Sequence, residues 1–144
     1  MLITYSSYKK LISVPKVPPE TGGILIGHDS IIDSIVVDAG MPLKNNSNIV
    51  AYIPNVNFLN KKITEARKSG KSFYGIYHSH AIQWKGLSGG DILYINEILR
   101  AMPSTSETAS LYFPIIYPGW GIDAYIASKI NSKITINHEN ITIV

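Results

Sequence analysis

Ser72-Phe-Tyr-Gly-Ile-Tyr-His-Ser-His80 is the stretch on which the reading of this chain turns. The aromatic-rich run from 72 to 78 predicts a strand, and that strand leads into two histidines separated by a single residue. Side chains two positions apart on a strand point to the same face, so both imidazoles can reach one ion. Eleven residues after His80 comes Asp91, in the first turn of a helix expected to start near Ser88. Two neutral imidazoles and one carboxylate, with the fourth position left to water, are the donor set of a catalytic zinc site; a closed structural site would use four protein ligands.

Such a site needs a proton acceptor beside its water. Glu20 is the candidate, because it precedes a Gly-Gly strand start where small residues let a carboxylate approach a metal. Ser88 lies three residues before Asp91, where its hydroxyl could face a substrate carbonyl oxygen. Ser88-Gly-Gly-Asp91 also reads as a helix N-cap with an acid at the third position. The two roles are compatible, since capping would fix Asp91 for the metal. His28 and His138 stand at no ligand spacing to anything and are assigned to turns. Trp84 and Lys85 lie in the loop between the histidines and Asp91, where they either line a substrate groove or pack on their own domain as a lid. Tyr112, Phe113 and Tyr117 fall on an expected strand and are read as core. The Asn-rich loop at 45–48 is read as solvated surface rather than a grip on a partner.

Outward from this centre, a short strand at 1–5 leads into a helix at 6–14 capped by Ser6 or Ser7. Pro15, Pro18 and Pro19 punctuate the chain before strands at 22–27 and 31–37, joined by a turn at His28-Asp29-Ser30. A short strand at 49–53 precedes a helix whose Val56, Leu59, Ile63 and Ala66 recur at helical spacing and which ends at Ser69-Gly70. The helix from Ser88 carries Ile92, Ile95, Leu99 and Met102 on one face and stops before Pro103. A polar, mobile connection at 104–110 leads to a strand at 111–117, where Pro114 implies an edge or a bulge. A strand at 123–128 follows. Ile134 and Ile136, then Ile141 and Ile143, alternate around 137–140 like a closing hairpin. Strands mixed with helices predict an α/β (α+β) fold, and no linker is long enough to divide residues 1–144 into more than one domain.

The composition narrows the function. With 144 residues, 45% hydrophobic and 16% charged, the chain can bury a core and does not read as disordered. Its net charge of +3 comes with no basic stripe interleaved with aromatics, so nucleic-acid binding is not expected. The clusters at Lys9-Lys10 and at Lys61, Lys62, Arg67, Lys68 and Lys71 read as solvated helix faces. The absence of cysteine removes disulfides, thiolate nucleophiles and cysteine zinc sites, and fits a cytoplasmic protein. The start of the chain lacks the charged-then-apolar order of a signal peptide. Its least charged stretch, 111–127, is broken by Pro114, Pro118, Gly119, Gly121 and Asp123, so no membrane span is expected.

Taken together, Glu20-Thr-Gly-Gly-Ile-Leu-Ile-Gly27 and His78-Ser-His80, followed by seven residues, Ser88, two residues and Asp91, resemble the JAMM signature of the MPN-plus, or JAB-domain, zinc metalloproteases. The resemblance covers residues 1–130 and is most similar to the short prokaryotic JAB branch. It implies a curved mixed β-sheet flanked by helices. It also implies zinc held by His78, His80 and Asp91, Glu20 as general base, and Ser88 as a donor to the developing oxyanion. Two departures stand out: Ala81 replaces a frequent proline after the second histidine, and Leu87-Ser-Gly-Gly-Asp91 lacks the prolines often found beside the serine. Both leave the chemical groups in place and loosen the loop.

The resemblance implies a deubiquitinase-like peptidase or isopeptidase acting after the C-terminal glycine of a ubiquitin-like protein. Its partners would be that protein or its conjugates, with E1-like and E2-like proteins of a bacterial conjugation system nearby. Trimming of a ubiquitin-like or sulfur-carrier precursor is the alternative activity. A non-catalytic MPN scaffold is the alternative of a different class.

Overall fold

The computed structural model describes residues 1–14, 20–41, 52–80, 85–102, 108–119 and 121–144. The predicted proline punctuation at 15–19, the loop at 45–48, Ala81 and Trp84 lie outside these residues. At the centre of the sheet, β2 (Gly22–His28) and β3 (Ile31–Asp38) form the expected hairpin. Asp29 and Ser30 between them have φ of 49° and 65°. Two successive left-handed residues give the turn whose twist matches that of the flanking strands.

β4 (Ser72–Ser79) pairs antiparallel with β2, placing Gly22 opposite His78. On its other side β4 runs parallel to β5 (Thr108–Tyr112) and β6 (Ile115–Tyr117). These two segments were expected as one strand. They interrupt at Phe113-Pro114, but both also pair with β7 (Gly121–Ile130), so Pro114 marks a break inside the sheet and not an edge. The proline carbonyl still accepts from the His78 N–H at 3.2 Å, so only the missing donor is lost from the ladder. β5 also takes in Thr108–Ser110 of the polar connection read as mobile, and residues 104–107 lie outside the described residues.

The predicted closing hairpin does not form. β8 (Lys133–Glu139) pairs with β7 across a left-handed turn at Asn131 and Ser132. β9 (Thr142–Ile143) instead runs parallel to β1 (Leu2–Ile3), which itself lies beside β3. Alternation of isoleucines cannot distinguish these pairings, because it states which face is buried and not which neighbour is bonded. Glu139 pairs with Ala124 of β7, and three residues later Thr142 pairs with Leu2 of β1. Three residues span at most ~10 Å, so the sheet curls until strands far apart in its order become neighbours.

Among the described residues, three helices cover the sheet. α1 (Tyr5–Ile12) is capped by Thr4 and not by Ser6 or Ser7, because the chain is still extended at Thr4 and its hydroxyl accepts from the Ser7 N–H. α2 (Val56–Lys68) is capped by Asn55, and α3 (Gly89–Ala101) by Ser88. Of the strand expected at 49–53, Tyr52 and Ile53 are described and are not in a strand. Side chains divide by parity: Ile24, Ile26, Ile76 and Ile115 meet Leu59 of α2 and Ile95 and Leu99 of α3. Leu25, Tyr77 and Ile116 meet Ile3 and Leu11 on the opposite face. Burial of each such aliphatic side chain contributes about 1.5–3 kcal/mol. Phe113 and Tyr117 are core as expected, while Tyr112 is half-buried. This is a mixed α+β architecture, and no helix among the described residues is long and apolar enough to cross a membrane.

Gly75 shows how closely β4 and β5 approach. A Cβ there would lie 1.9 Å from the Tyr112 carbonyl oxygen. Gly75→Ala should therefore lower stability by about 1–3 kcal/mol, the usual cost of forcing atoms into a filled site. An unchanged urea midpoint would contradict the β4–β5 contact.

Candidate functional site

Four inward-facing rows of side chains begin in the apolar core and end in polar groups. On β4 the row is Ile76 and His78, continued by His80 just past the strand's end. On β2 it is Ile26, Ile24, Gly22, and the same parity leads back to Glu20. On β3 it runs from Val36 to Asp38. On α3 the row is Leu99, Ile95, Asp91, at the four-residue spacing of one helix face. This last row corrects the expected one. Ile92 is 44% exposed, and the inward position one turn before Ile95 is taken by Asp91.

Three of these rows, those ending in His80, Glu20 and Asp91, meet at a cavity of about 370 Å³ lined by Glu20, Tyr52, Pro54, Ile76, His78, His80, Ser88, Gly90, Asp91 and Tyr94. All five residues singled out in the sequence, Glu20, His78, His80, Ser88 and Asp91, are therefore brought to one place. Lys85 is exposed and does not line this cavity. His28 pairs with Asp33 at the β2–β3 turn. His138 sits on β8 and not in a turn, with its ring 4.6 Å from that of Tyr125.

The histidine rings point their Nε2 atoms at one another, 2.9 Å apart. His78 Nε2 lies 3.1 Å from Asp91 Oδ1, and His80 Nε2 lies 3.3 Å from Asp91 Oδ2. Two lone pairs facing each other repel unless a proton or a cation lies between them. Tetrahedral zinc with bonds of 2.0–2.1 Å sets its ligand atoms about 3.3–3.4 Å apart. The three donors are within a few tenths of an ångström of that spacing, so the trio fits a divalent transition metal and could hold one.

Two of the three donors, Asp91 and His80, are held from behind. The Ser88 N–H donates to Asp91 Oδ2 at 2.7 Å, and the Asp91 N–H donates to Ser88 Oγ at 3.1 Å. This reciprocal capping box fixes the carboxylate while satisfying two orphan donors of the helix. Burial alone would raise the Asp91 pKa. The hydrogen bonds from His78 and His80, together with the Ser88 N–H, outweigh it and hold the carboxyl far below its usual range. His80 is 5% exposed and its ring stands edge-on to Tyr117. The Tyr117 hydroxyl accepts from the Gly86 N–H at 2.8 Å, anchoring the chain shortly before Ser88.

Tyr52, Tyr94 and Asp38 were missed by the sequence reading. Asp38, 4% exposed, accepts from the Tyr52 hydroxyl at 2.6 Å, the Asn55 N–H at 2.8 Å and the Gly40 N–H at 3.0 Å. Burial, then the hydrogen bond to Asp38 and its charge, push the Tyr52 hydroxyl well above the usual range. Burial and the same charge push Tyr94 up to about 12. An acid directly after the apolar run Ile35-Val36-Val37 was the one available signal for Asp38. Nothing local marks Tyr52.

His80→Ala or Asp91→Asn should weaken zinc binding by more than about 100-fold, beyond the loss typical of a residue supporting a ligand. Zinc titration with a competing chelator measures this, and wild-type affinity in either variant would remove that residue from the set. Because the folded state depresses the Asp91 pKa, its stabilising contribution is present at neutral pH. The stability gap between metal-free wild type and Asp91→Asn should therefore shrink as pH falls below about 4, the value in an unfolded chain. Urea midpoints measured across that range would show it.

No protein-family profile and no curated protein matches the sequence. Solved structures do match its fold. A protein from Desulfitobacterium hafniense aligns with 99% of this chain and 92% of its own at 18% identity and a TM-score of 0.65. A JAB1/MPN domain protein from Archaeoglobus fulgidus aligns with 100% of this chain and 96% of its own at 15% identity and a TM-score of 0.55. A protein from Salinibacter ruber aligns over 100% and 92%, respectively, at 14% identity and a TM-score of 0.53. The chain thus has a JAB/MPN-like fold, and a candidate His-His-Asp metal site lines its cavity.

Proposed function

We propose that this protein is a zinc-dependent peptidase of the JAMM type that cleaves after the C-terminal glycine of a ubiquitin-like protein, releasing it from a conjugate. The observation that carries this reading is the convergence of His78, His80 and Asp91 with Glu20 and Ser88 on one open cavity. A purely structural metal would need neither a carboxylate nor a hydroxyl beside an incomplete donor set. The JAB/MPN-like fold adds support.

His78, His80 and Asp91 would hold the zinc. When bound there, zinc makes water more acidic and polarises a carbonyl as a Lewis acid. Glu20 accepts the proton of the attacking water as its oxygen bonds to the scissile carbonyl carbon. It then passes that proton to the amine nitrogen as the carbon–nitrogen bond breaks. Ser88 Oγ accepts the Asp91 N–H, and its own O–H donates to the oxyanion that develops on the carbonyl. Tyr52, Pro54 and Tyr94 wall the cavity and favour a slender chain end such as a glycine tail.

Glu20→Gln should keep its zinc and lose about 10²–10⁴ in kcat, the worth of a general base. The assay is intact-mass analysis of a ubiquitin-like protein carrying either a C-terminal extension or an isopeptide-linked partner. Faster cleavage of the linked form supports deconjugation, and faster cleavage of the extension points to precursor trimming. Activity that survives complete removal of metal would overturn the proposal.

A further inference from the structure

We infer that Asp38 and Tyr52 form a positioning pair that holds Glu20 in line for proton transfer, an inference that rests on the hydrolase reading. Tyr52 is clamped at three points. Its hydroxyl donates to the buried Asp38, and its ring packs against Gly22 of β2. A Cβ on Gly22 would sit 2.3 Å from Tyr52 Cε1, so only glycine admits the ring there. At the other end of the residue, the Tyr52 N–H donates to Glu20 Oε2 at 3.4 Å.

The direction of control follows from rigidity. Asp38 is paired with Gly22 in the β2–β3 ladder and accepts two further N–H groups, so it is the fixed end. Glu20 lies outside the strand, one residue before Thr21, whose N–H donates to Ser79 Oγ. A carboxylate that takes a proton from water works best with a reference that turns one oxygen to the cavity. The Tyr52 amide supplies it by engaging Oε2, and the phenol–carboxylate bond keeps that amide in place. Neither Asp38 nor Tyr52 belongs to the metal-donor trio, so the pair can affect proton transfer without changing metal affinity.

The experiment uses the full chain with Tyr52→Phe, which keeps the ring over Gly22 and removes only the hydroxyl, and with Asp38→Asn. In the metal-free protein, amide hydrogen exchange at Tyr52 should quicken in both variants while the Ile24 and Ile76 amides keep their protection. In the zinc-loaded protein, kcat should fall about 10–100-fold with KM and zinc affinity unchanged. In a Glu20→Gln background, Tyr52→Phe should cause little further loss, since the proton acceptor it positions is already gone. Wild-type exchange at Tyr52 in the Tyr52→Phe variant overturns the pair. So does a kcat loss that recurs at full size on Glu20→Gln, because it marks a general structural effect. If zinc-loaded wild type cleaves no ubiquitin-like substrate, the hydrolase reading fails, while the exchange measurement still decides whether Asp38 positions the Tyr52 amide.

Discussion

The register of β2 against β4 sets Gly22 opposite His78, and the geometry of the cavity follows from that pairing. With alternating side chains, it fixes Ile24, Ile76 and His78 on the face covered by α2 and α3, and Tyr77 and Ser79 on the other. A slip of one residue would turn both histidines away from Asp91 and bury Tyr77 where Ile76 belongs. The register is enforced on both faces. Isoleucines fill one core, and on the other the Tyr77 hydroxyl sits where a Cβ on Gly23 would come within 2.8 Å. The hydrophobic core is therefore also what aims the imidazoles.

The helix side of the site uses different physics to the same end. A carboxylate on a helix surface has several rotamers, and bringing it beside two imidazoles costs side-chain entropy. The capping box removes much of that freedom, because Asp91 Oδ2 is already engaged by the Ser88 N–H. Leu99 and Ile95 anchor the same face of α3 in the core, so the first turn projects Asp91 inward where the apolar packing ends. The expected face with Ile92 failed because periodicity alone treated Asp91 as an interruption of the stripe. It is the stripe's terminal member.

The site residues were legible because their chemistry is unusual at short range. Two histidines one residue apart, a serine and an acid at capping spacing, and an acid before paired glycines each stand out locally. The pairing partners of β8 and β9 were not legible, since their alternating isoleucines suit any neighbour that covers one face. The central place of β5 and β6 was obscured by Pro114, whose lost donor is tolerated because the strand is interrupted there. Asp38 and Tyr52 escaped notice for a third reason: they are 14 positions apart and meet only through their side chains.

The sequence by itself determined the local elements around the centre: the β2–β3 turn, the amphipathic α2, the capped start of α3 and the two histidines on one face of β4. Those follow from backbone preference and side-chain period, which act within a few residues. Tertiary structure alone decided that the sheet curls until β9 reaches β1, that Asp91 faces the histidines, and that a buried carboxylate on β3 reaches Glu20 through Tyr52. These depend on which surfaces meet across long sequence separations, and only the packed chain brings them within bonding distance.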